Sequence, residues 1–431
     1  MNSATGLAPA ARPGMLDRVL REYHGVAELL PGDAQARAAR ARAAAQLTEL
    51  GWPSWRDEHW RYANLRAFEH LSAFSPCALA EPPSTPELRE LALPAPTPGF
   101  TRLLYVDGVH VEGAAPQAGG RAPDLPHAWP AEQRLGLLCD MFATDAARLR
   151  VRGEAAIEVV FATSGRGGAD AAYPRLQVQL EPGSRLELIE RHVGEPAAPA
   201  LVACNVTLEL ARDAMLSHYR LQHYGRNVLF ADTLWAALGE GARYGVRSVS
   251  VGAGTARTSA LVQLGGRAAA LNWQAIAAGR GEQMHDTALK VEHGAPDADT
   301  VETFRGIADG RARVAFSGHI NIHAAAPGSQ ARQSLRGLIE GAGAEIDLRP
   351  RLEILTDEVR AVHGATTGRL DEDLLFYLLA RGIDRQTARA LLKWAFLSDV
   401  LREFELPALR AEAERLTAGQ LEDVQAVGAL S

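Results

Sequence analysis

R-P-R-L-E-I-L-T-D-E-V-R-A-V-H-G-A-T-T-G-R-L-D-E-D-L-L-F-Y-L-L-A-R-G-I, residues 349–383, contains a change of structural period. In its first half apolar residues alternate: Leu352 and Ile354, then Val359 and Ala361 after a turn at 356–358. That is the period of a strand. In its second half Leu374, Leu375, Leu378 and Leu379 recur at helical spacing. The junction is H-G-A-T-T-G, 363–368, so a β region ends and a helical cap begins at His363.

Upstream of the junction β character extends over about two hundred residues. L-Q-V-Q-L, 176–180, alternates cleanly and stops at Pro182-Gly183-Ser184. Leu186, Leu188, Val202, Val206, Leu208 and Leu210 continue the pattern. The strands are separated by turns such as A-D-G-R, 308–311, at uneven spacing and with no strict sequence repeat. Such a region can form a sandwich, a barrel or a solenoid. Only 6% of residues are aromatic, and Ala, Val, Leu and Gly are abundant, which favours the narrow core of a solenoid. L-L-Y-V before Asp107-Gly108 predicts an initial strand and hairpin, and a short helix is expected over 132–149.

Both flanks are helical. Residues 15 to about 50 form two helices broken at Pro31-Gly32-Asp33, with Asp33 as N-cap and Gly51 as stop. Residues 1–13 read as disordered and 76–99 as a linker. W-P-S-W-R-D-E-H-W-R-Y-A-N-L, 52–65, reads as a small aromatic core beneath the N-terminal helices, or alternatively as a binding surface. At the other end Asp371 and Asp384 cap two helices. Pro407 is expected to end the second, and a third runs from 409 to about 424. The domains expected are therefore 1–98, helical with a linker; 99–363, the β core; and 364–431, helical.

Composition excludes several functions. With 431 residues, 47% hydrophobic and 23% charged, the chain reads as a soluble globular protein. A net charge of −7 without a basic block argues against nucleic acid. There is no signal-peptide pattern and no apolar run long enough for a membrane span, so a cytoplasmic location is expected. Cys77, Cys139 and Cys204 are far apart and form no C-x-x-C. Neither Lys290 nor Lys393, the only lysines, follows a glycine, so there is no Walker A motif. No nucleophile elbow, H-E-x-x-H helix or EF-hand loop is present either.

Histidines are the remaining candidates. Strand alternation places Ser317, His319, Asn321 and His323 on one face. Two histidines there can share a metal, but a solvated outer face is the simpler reading. His218 and His223 fall on opposite faces of a strand. His285 and His293, beside Asp286 and Glu292, read as loop and strand surface. His363 before Gly364 reads, on its own, as a turn residue.

Residues 352–383 closely resemble the C-terminal signature of the SufB/SufD family of iron–sulfur cluster assembly proteins. E-H-W-R-Y-A-N-L, 58–65, is similar to that family's E-x-W-R-Y-T-x-L element, and L-Y-V-D-G, 104–108, to its first core strand. H-D-T-A-L-K-V-E-H-G-A-P, 285–296, resembles the segment that leads into a G-x-I strand, here 318–320. H-G-A-T-T-G is the SufD form, where SufB carries H-E-A. The resemblance implies a mainly β fold, a right-handed parallel β-helix core flanked by N- and C-terminal α-helical domains. It implies a non-catalytic scaffold subunit that pairs with a SufB homologue as a heterodimer and docks a SufC ATPase through its C-terminal helices. It also implies a transient iron–sulfur cluster shared with the partner, with His363 as the cluster-binding and metal-ligating position. Ala361 stands where many SufD sequences carry cysteine, and 324–332 lacks the usual A-Q-x-T-D-A. Two rival readings are a SufB-like paralogue acting as a homodimer and a β-helix carbohydrate-active enzyme. The second lacks the paired carboxylates or calcium-binding acidic cluster that its chemistry needs.

Overall fold

Parallel pairing between strands one full turn apart is the organising contact of the molecule. In the computed structural model, which describes residues 14–79, 88, 91–113, 129–165 and 170–420, Met215 pairs with Arg243, Arg243 with Ala270, Ala270 with Asp299, Asp299 with Gln330, and Gln330 with Arg360. The step is roughly 30 residues, within the range of solenoid repeats. The intervening strands pair in the same way in a second sheet. The chain is thus mainly β, a parallel β-helix of about seven turns with helices at both termini.

The strands that build it begin with β1 (Thr101–Val106), β2 (Val109–Glu112), β3 (Ala147–Val151), β4 (Glu154–Ala162), β5 (Asp170–Ala172) and β6 (Arg175–Leu180). The regular turns are β7 (Arg185–Gly194), β8 (Ala200–Leu210), β9 (Met215–Tyr224), β10 (Val228–Leu238), β11 (Arg243–Gly252), β12 (Thr255–Leu264) and β13 (Ala270–Gly279). They continue through β14 (Met284–His293), β15 (Asp299–Ala308), β16 (Arg313–Ile322), β17 (Gln330–Ile339), β18 (Glu345–Ile354) and β19 (Arg360–Gly368). One sheet runs β19-β17-β15-β13-β11-β9-β7-β4-β1-β2 and the other β18-β16-β14-β12-β10-β8-β6-β3, with β5 beside β8. The β1–β2 hairpin at Asp107-Gly108, with φ of 53° and 84°, is the one antiparallel pair among the described residues.

Alternation puts every second residue of each strand into the lumen. Leu188, Val206, Leu234, Val262, Leu289, Phe304, Phe316 and Ile320 pack there, and Phe304 stacks on Phe316 at 4.6 Å. The core is narrow and mostly aliphatic, as the low aromatic content suggests.

The outer faces are covered by helices from opposite ends of the chain. Helices α1 (Met15–Val26), α2 (Ala34–Leu50) and α3 (Gly136–Phe142) lie over Leu201, Ala203, Leu229 and Ala231 of the β18-to-β3 sheet. Asp33 caps α2 by accepting from the Ala36 amide at 2.9 Å, and the Gly51 amide closes its end on Leu47. Trp60, Phe68 and Phe74 belong to this core, which Trp52 joins edge-on, whereas Trp55 is exposed. After β19 come α4 (Glu372–Ala380), α5 (Arg385–Leu401) and α6 (Pro407–Ala418). Leu397, Val400, Leu401, Phe404 and Leu409 from this end pack on Tyr219, Leu221, Val249, Val251 and Ile276 of the other sheet. Arg305 to Asp399 and Lys393 to Glu340 tie α5 down. Asp371 and Asp384 cap α4 and α5 as expected.

Three expectations are corrected. The helix expected over 132–149 is only a 3₁₀ turn and α3; Leu149 lies on β3, where Ala147, Leu149 and Val151 are buried and Arg148 and Arg150 exposed. That two-residue period is a strand's and should have outweighed helix propensity. Pro407 does not end α5, which stops at Leu401; it opens α6, where its missing N–H costs nothing. Thirdly, the strand carries on through His363 to Gly368, so His363 is not in a turn. The disorder expected for 1–13 lies outside the described residues, as do most of 80–90 in the expected linker and the expected helix beyond 420.

Candidate functional site

Among the described residues β18 and β19 are the last strands of their sheets, and both are largely exposed. Their outer backbone groups have no neighbouring strand, which makes this end a template for pairing with another chain. Val362 is 67% exposed, with Ile354 and Leu355 also open. Beyond the edge α4 shows Leu374, Tyr377 and Phe376, the last 71% exposed.

His363 is central in β19, in register with Gln333 of β17. Its row is the lumenal one, because the β17 partners of Ala361, His363 and Ala365 are Ala331, Gln333 and Leu335, all buried. The histidine therefore stands at the mouth of the lumen, exposed. Below it the row continues through Gln333, Glu302 and Trp273. Gln333 Nε2 donates to Glu302 Oε2 at 2.8 Å and to the Gly318 carbonyl at 3.0 Å. Gly318 leaves room for this pair, since a Cβ there would press on Glu302 Oε2 and Gln333 Nε2. Burial pushes the Glu302 carboxyl up to about 8, against which the Gln333 bond works only weakly.

The other histidines separate by face. His319 and His323 project outward and do not share a ligand: His319 faces Glu353 at 3.5 Å, and His323 bonds Glu292 at 2.5 Å. His218 is buried and His223 exposed, as alternation predicts. The surface reading of His285 and His293 is wrong, for both are buried on the lumenal row of β14. Their charged neighbours misled it: Asp286 and Glu292 are the outward residues, paired with Arg257 and with Lys290 and His323. Inside, His285 bonds Ser250 Oγ at 3.1 Å and His293 bonds Thr300 Oγ1 at 2.7 Å. Burial lowers both imidazoles to about 4.

A second polar group lies deep in the lumen, and the sequence reading missed it. Glu190 and His192 follow Leu186 and Leu188 on the inward row of β7; Arg220 comes from β9, Cys204 from β8 and Asp232 from β10. Arg220 forks both carboxylates, with Nε and Nη2 to Glu190 at 3.0 and 2.8 Å and two bonds to Asp232 at 3.0 Å. His192 Nε2 meets Glu190 Oε1 at 2.5 Å, and its Nδ1 lies 3.3 Å from the Tyr224 hydroxyl. His218 Nε2 lies 2.9 Å from Glu190 Oε2, off the hydrogen-bond line, and its Nδ1 meets Tyr244 at 3.0 Å. Burial alone would raise the Glu190 carboxyl, but Arg220 and the two imidazoles hold it well below the usual range. Burial, then the two carboxylates, push the Cys204 thiol well up. The signal was available in R-L-E-L-I-E-R-H, where the alternation of Leu186 and Leu188 extends to Glu190 and His192.

Comparison with known proteins gives a consistent result. A family model described as SUF system FeS cluster assembly, SufBD core domain, matches residues 161–396. The iron–sulfur cluster assembly protein SufD of Escherichia coli is 28% identical over 382 residues, covering 83% of this chain and 87% of that protein. The iron–sulfur cluster assembly SufBD family protein slr0076 of Synechocystis is 30% identical over 201 residues, 47% of this chain and 44% of its own. The chloroplastic protein ABCI7 of Arabidopsis thaliana is 29% identical over 253 residues, 58% and 53% of the two chains.

Proposed function

We infer the function from one premise: the chain belongs to the SufBD core family of SUF-system iron–sulfur cluster assembly proteins. Within it the chain acts as a SufD-like scaffold subunit that pairs with a SufB homologue and docks a SufC ATPase. The observation that carries this reading is the position of His363, on the lumenal row of the last strand at an open sheet edge.

The geometry makes this a half-site. An iron–sulfur cluster takes about four protein ligands, and among the described residues His363 belongs to no group of three metal-ligating side chains. Cys77, Cys139 and Cys204 lie elsewhere, and Ala361 supplies nothing beside His363. The remaining ligands come from the partner. A SufB homologue reaches the site by pairing its own strands with β18 and β19, an edge addition in which main-chain hydrogen bonds give the affinity and Val362 and Leu355 supply apolar contact. The His363 imidazole then offers one neutral nitrogen to iron. The cluster is cargo: it is built at the shared edge and passed on.

The chain has no nucleotide motif, so the energy for opening and closing the edge comes from a separate ATPase. The face of α4 that carries Leu374, Phe376 and Tyr377 suits that docking, because exposed aromatics flanked by charge are typical interface anchors. Three cysteines with no disulfide among them fit a reducing cytoplasm, and no described helix is long and apolar enough to cross a membrane.

Co-expression with SufB and SufC homologues tests the reading. Affinity purification is expected to yield one complex containing all three chains. His363→Ala should leave that complex intact while cluster formation, read as the visible absorption of reconstituted complex, falls at least ~10-fold. No ternary complex at any expression ratio overturns the assignment, and an unchanged cluster yield removes His363 from the site. A homodimer in native mass spectrometry, persisting beside SufB, would favour the homodimeric scaffold instead.

Phe376→Ala isolates the ATPase contact. Truncating an interface anchor costs about 2 kcal/mol or more, so SufC affinity should weaken ~30-fold by calorimetry while pairing with SufB is unaffected. Equal affinity would place the docking face elsewhere.

A further inference from the structure

We propose that the lumen of the solenoid holds a transition-metal site of its own, with Glu190, His192 and Cys204 as ligands and zinc(II) or iron(II) as the ion. It is separate from the edge at His363 and does not rest on the scaffold reading.

Three observations point to it. The first is convergence: one donor atom from each of the three residues lies within 4.8 Å of the others, and all three residues are buried. A tetrahedral ion with bonds of about 2.0–2.3 Å holds its ligand atoms about 3.3–3.8 Å apart, so donors within that limit draw together by at most about 1.5 Å. The second is the state of Cys204. Its thiol makes no hydrogen bond and faces two carboxylates, Asp232 in register beside it and Glu190 across the lumen. An apolar or hydroxyl side chain would sit there at lower cost, whereas a thiolate bound to a cation is stabilised by those charges. The third is the setting of His192. The Tyr224 hydroxyl engages Nδ1, which aims Nε2 at Glu190, as the outer hydrogen bonds of ligating histidines do.

The charges close around a dication. Arg220 offsets one of the two carboxylates, Glu190 and Asp232, leaving one negative charge in excess. In the metal-free protein one hydrogen lies between His192 Nε2 and Glu190 Oε1. On binding, that proton and the Cys204 thiol proton leave to solvent, so two protons depart as two positive charges arrive. No other bond is made or broken and nothing is oxidised. Arg220 and His218 stay on Glu190 as outer contacts, while Tyr224 and Tyr244 hold the imidazoles. Thiolate, imidazole and carboxylate together select zinc or iron over magnesium or calcium, which prefer oxygen and retained water.

None of the three ligands is reachable from outside, so the ion enters while the coil is forming. The test therefore supplies metal during expression. The full chain is purified from cells grown in defined medium with zinc, iron or cobalt, and its metal is measured by elemental analysis. About one ion per chain is expected, with a thiolate-to-cobalt charge-transfer band in the cobalt-grown protein. Cys204→Ser should abolish the band and lower metal content at least ~10-fold, and His192→Gln should lower content likewise. His363→Ala should keep both ion and band. A wild-type chain without metal, or a band and stoichiometry that survive Cys204→Ser, overturns the proposal. Should His192→Gln fail to accumulate folded by circular dichroism, Cys204→Ser, which changes the side-chain volume little, decides alone.

Discussion

Arg220→Met is expected to destabilise the fold by about 3–5 kcal/mol, the range for breaking a buried ion pair on one side. The guanidinium makes four bonds to Glu190 and Asp232, and all three side chains are nearly inaccessible. Methionine keeps the stem's volume but takes away the guanidinium that pairs the Glu190 and Asp232 carboxylates. The cost comes from those stranded charges rather than from lost attraction. Combining Arg220→Met with Glu190→Gln and Asp232→Asn should therefore recover a large part of the loss, although it removes still more polar contact. Equilibrium urea denaturation of the three proteins checks this. An Arg220→Met chain within about 1 kcal/mol of wild type would show that the carboxylates are hydrated or protonated in the fold.

The same cluster sets an acid limit. The folded Glu190 carboxyl is held below its ordinary value, so its contribution is complete above that value and is lost as pH falls toward the folded pKa. His285 and His293 act in the same direction at higher pH. Both are lowered to about 4 by burial, so the unfolded chain binds their protons first and stability falls as pH drops from about 6.5.

The architecture is partly legible in the sequence, and the limits have physical causes. The change of period in 349–383 marks the passage from strand to helix, and the structure places that passage at Gly368, where β19 ends before α4, with many of the apolar residues of the stretch exposed at the open edge. It does not reveal that β18 and β19 belong to different sheets, since pairing is to strands roughly a full turn away. The solenoid repeat is hidden for a related reason. One lumenal row reads Leu188, His218, Val246, Trp273, Glu302, Gln333 and His363, so stacked positions share geometry but not side-chain type. His363 was found by resemblance, and the fold adds its row, its exposure and the open edge. The Glu190 cluster is assembled from four strands of two sheets, and no spacing rule within a strand brings Cys204, Arg220 and Asp232 together.

That lumenal row also yields the largest stabilising change. Glu302→Gln should raise stability by about 3 kcal/mol at pH 7, with the gain vanishing near pH 4.5 and levelling off above pH 8. Burial holds the Glu302 carboxyl at about 8, against 4.5 in an exposed chain. The folded state thus keeps a proton that the unfolded state releases, and stability falls as pH rises between those values, by about 1.4 kcal/mol per unit. The amide is isosteric with the protonated acid, still accepts from Gln333 Nε2, and has no charge to bury. Because His285 and His293 change the total in the opposite sense below pH 6.5, the difference between wild type and variant isolates Glu302 where either curve alone would not. Urea denaturation at half-unit intervals from pH 4.5 to 8.5 measures that difference, and a flat line would mean that Glu302 is solvated and ordinary. A burial cost of this size persists in the row that ends at His363, two strands away, whereas the neighbouring inward positions Ala275, Phe304 and Leu335 are apolar. Stability by itself would favour Gln or Leu at position 302. If Glu302→Gln also leaves cluster formation at the His363 edge unchanged, the carboxyl is a tolerated burden; if cluster formation becomes dependent on pH in a new way, the protonated carboxyl serves the edge through Gln333.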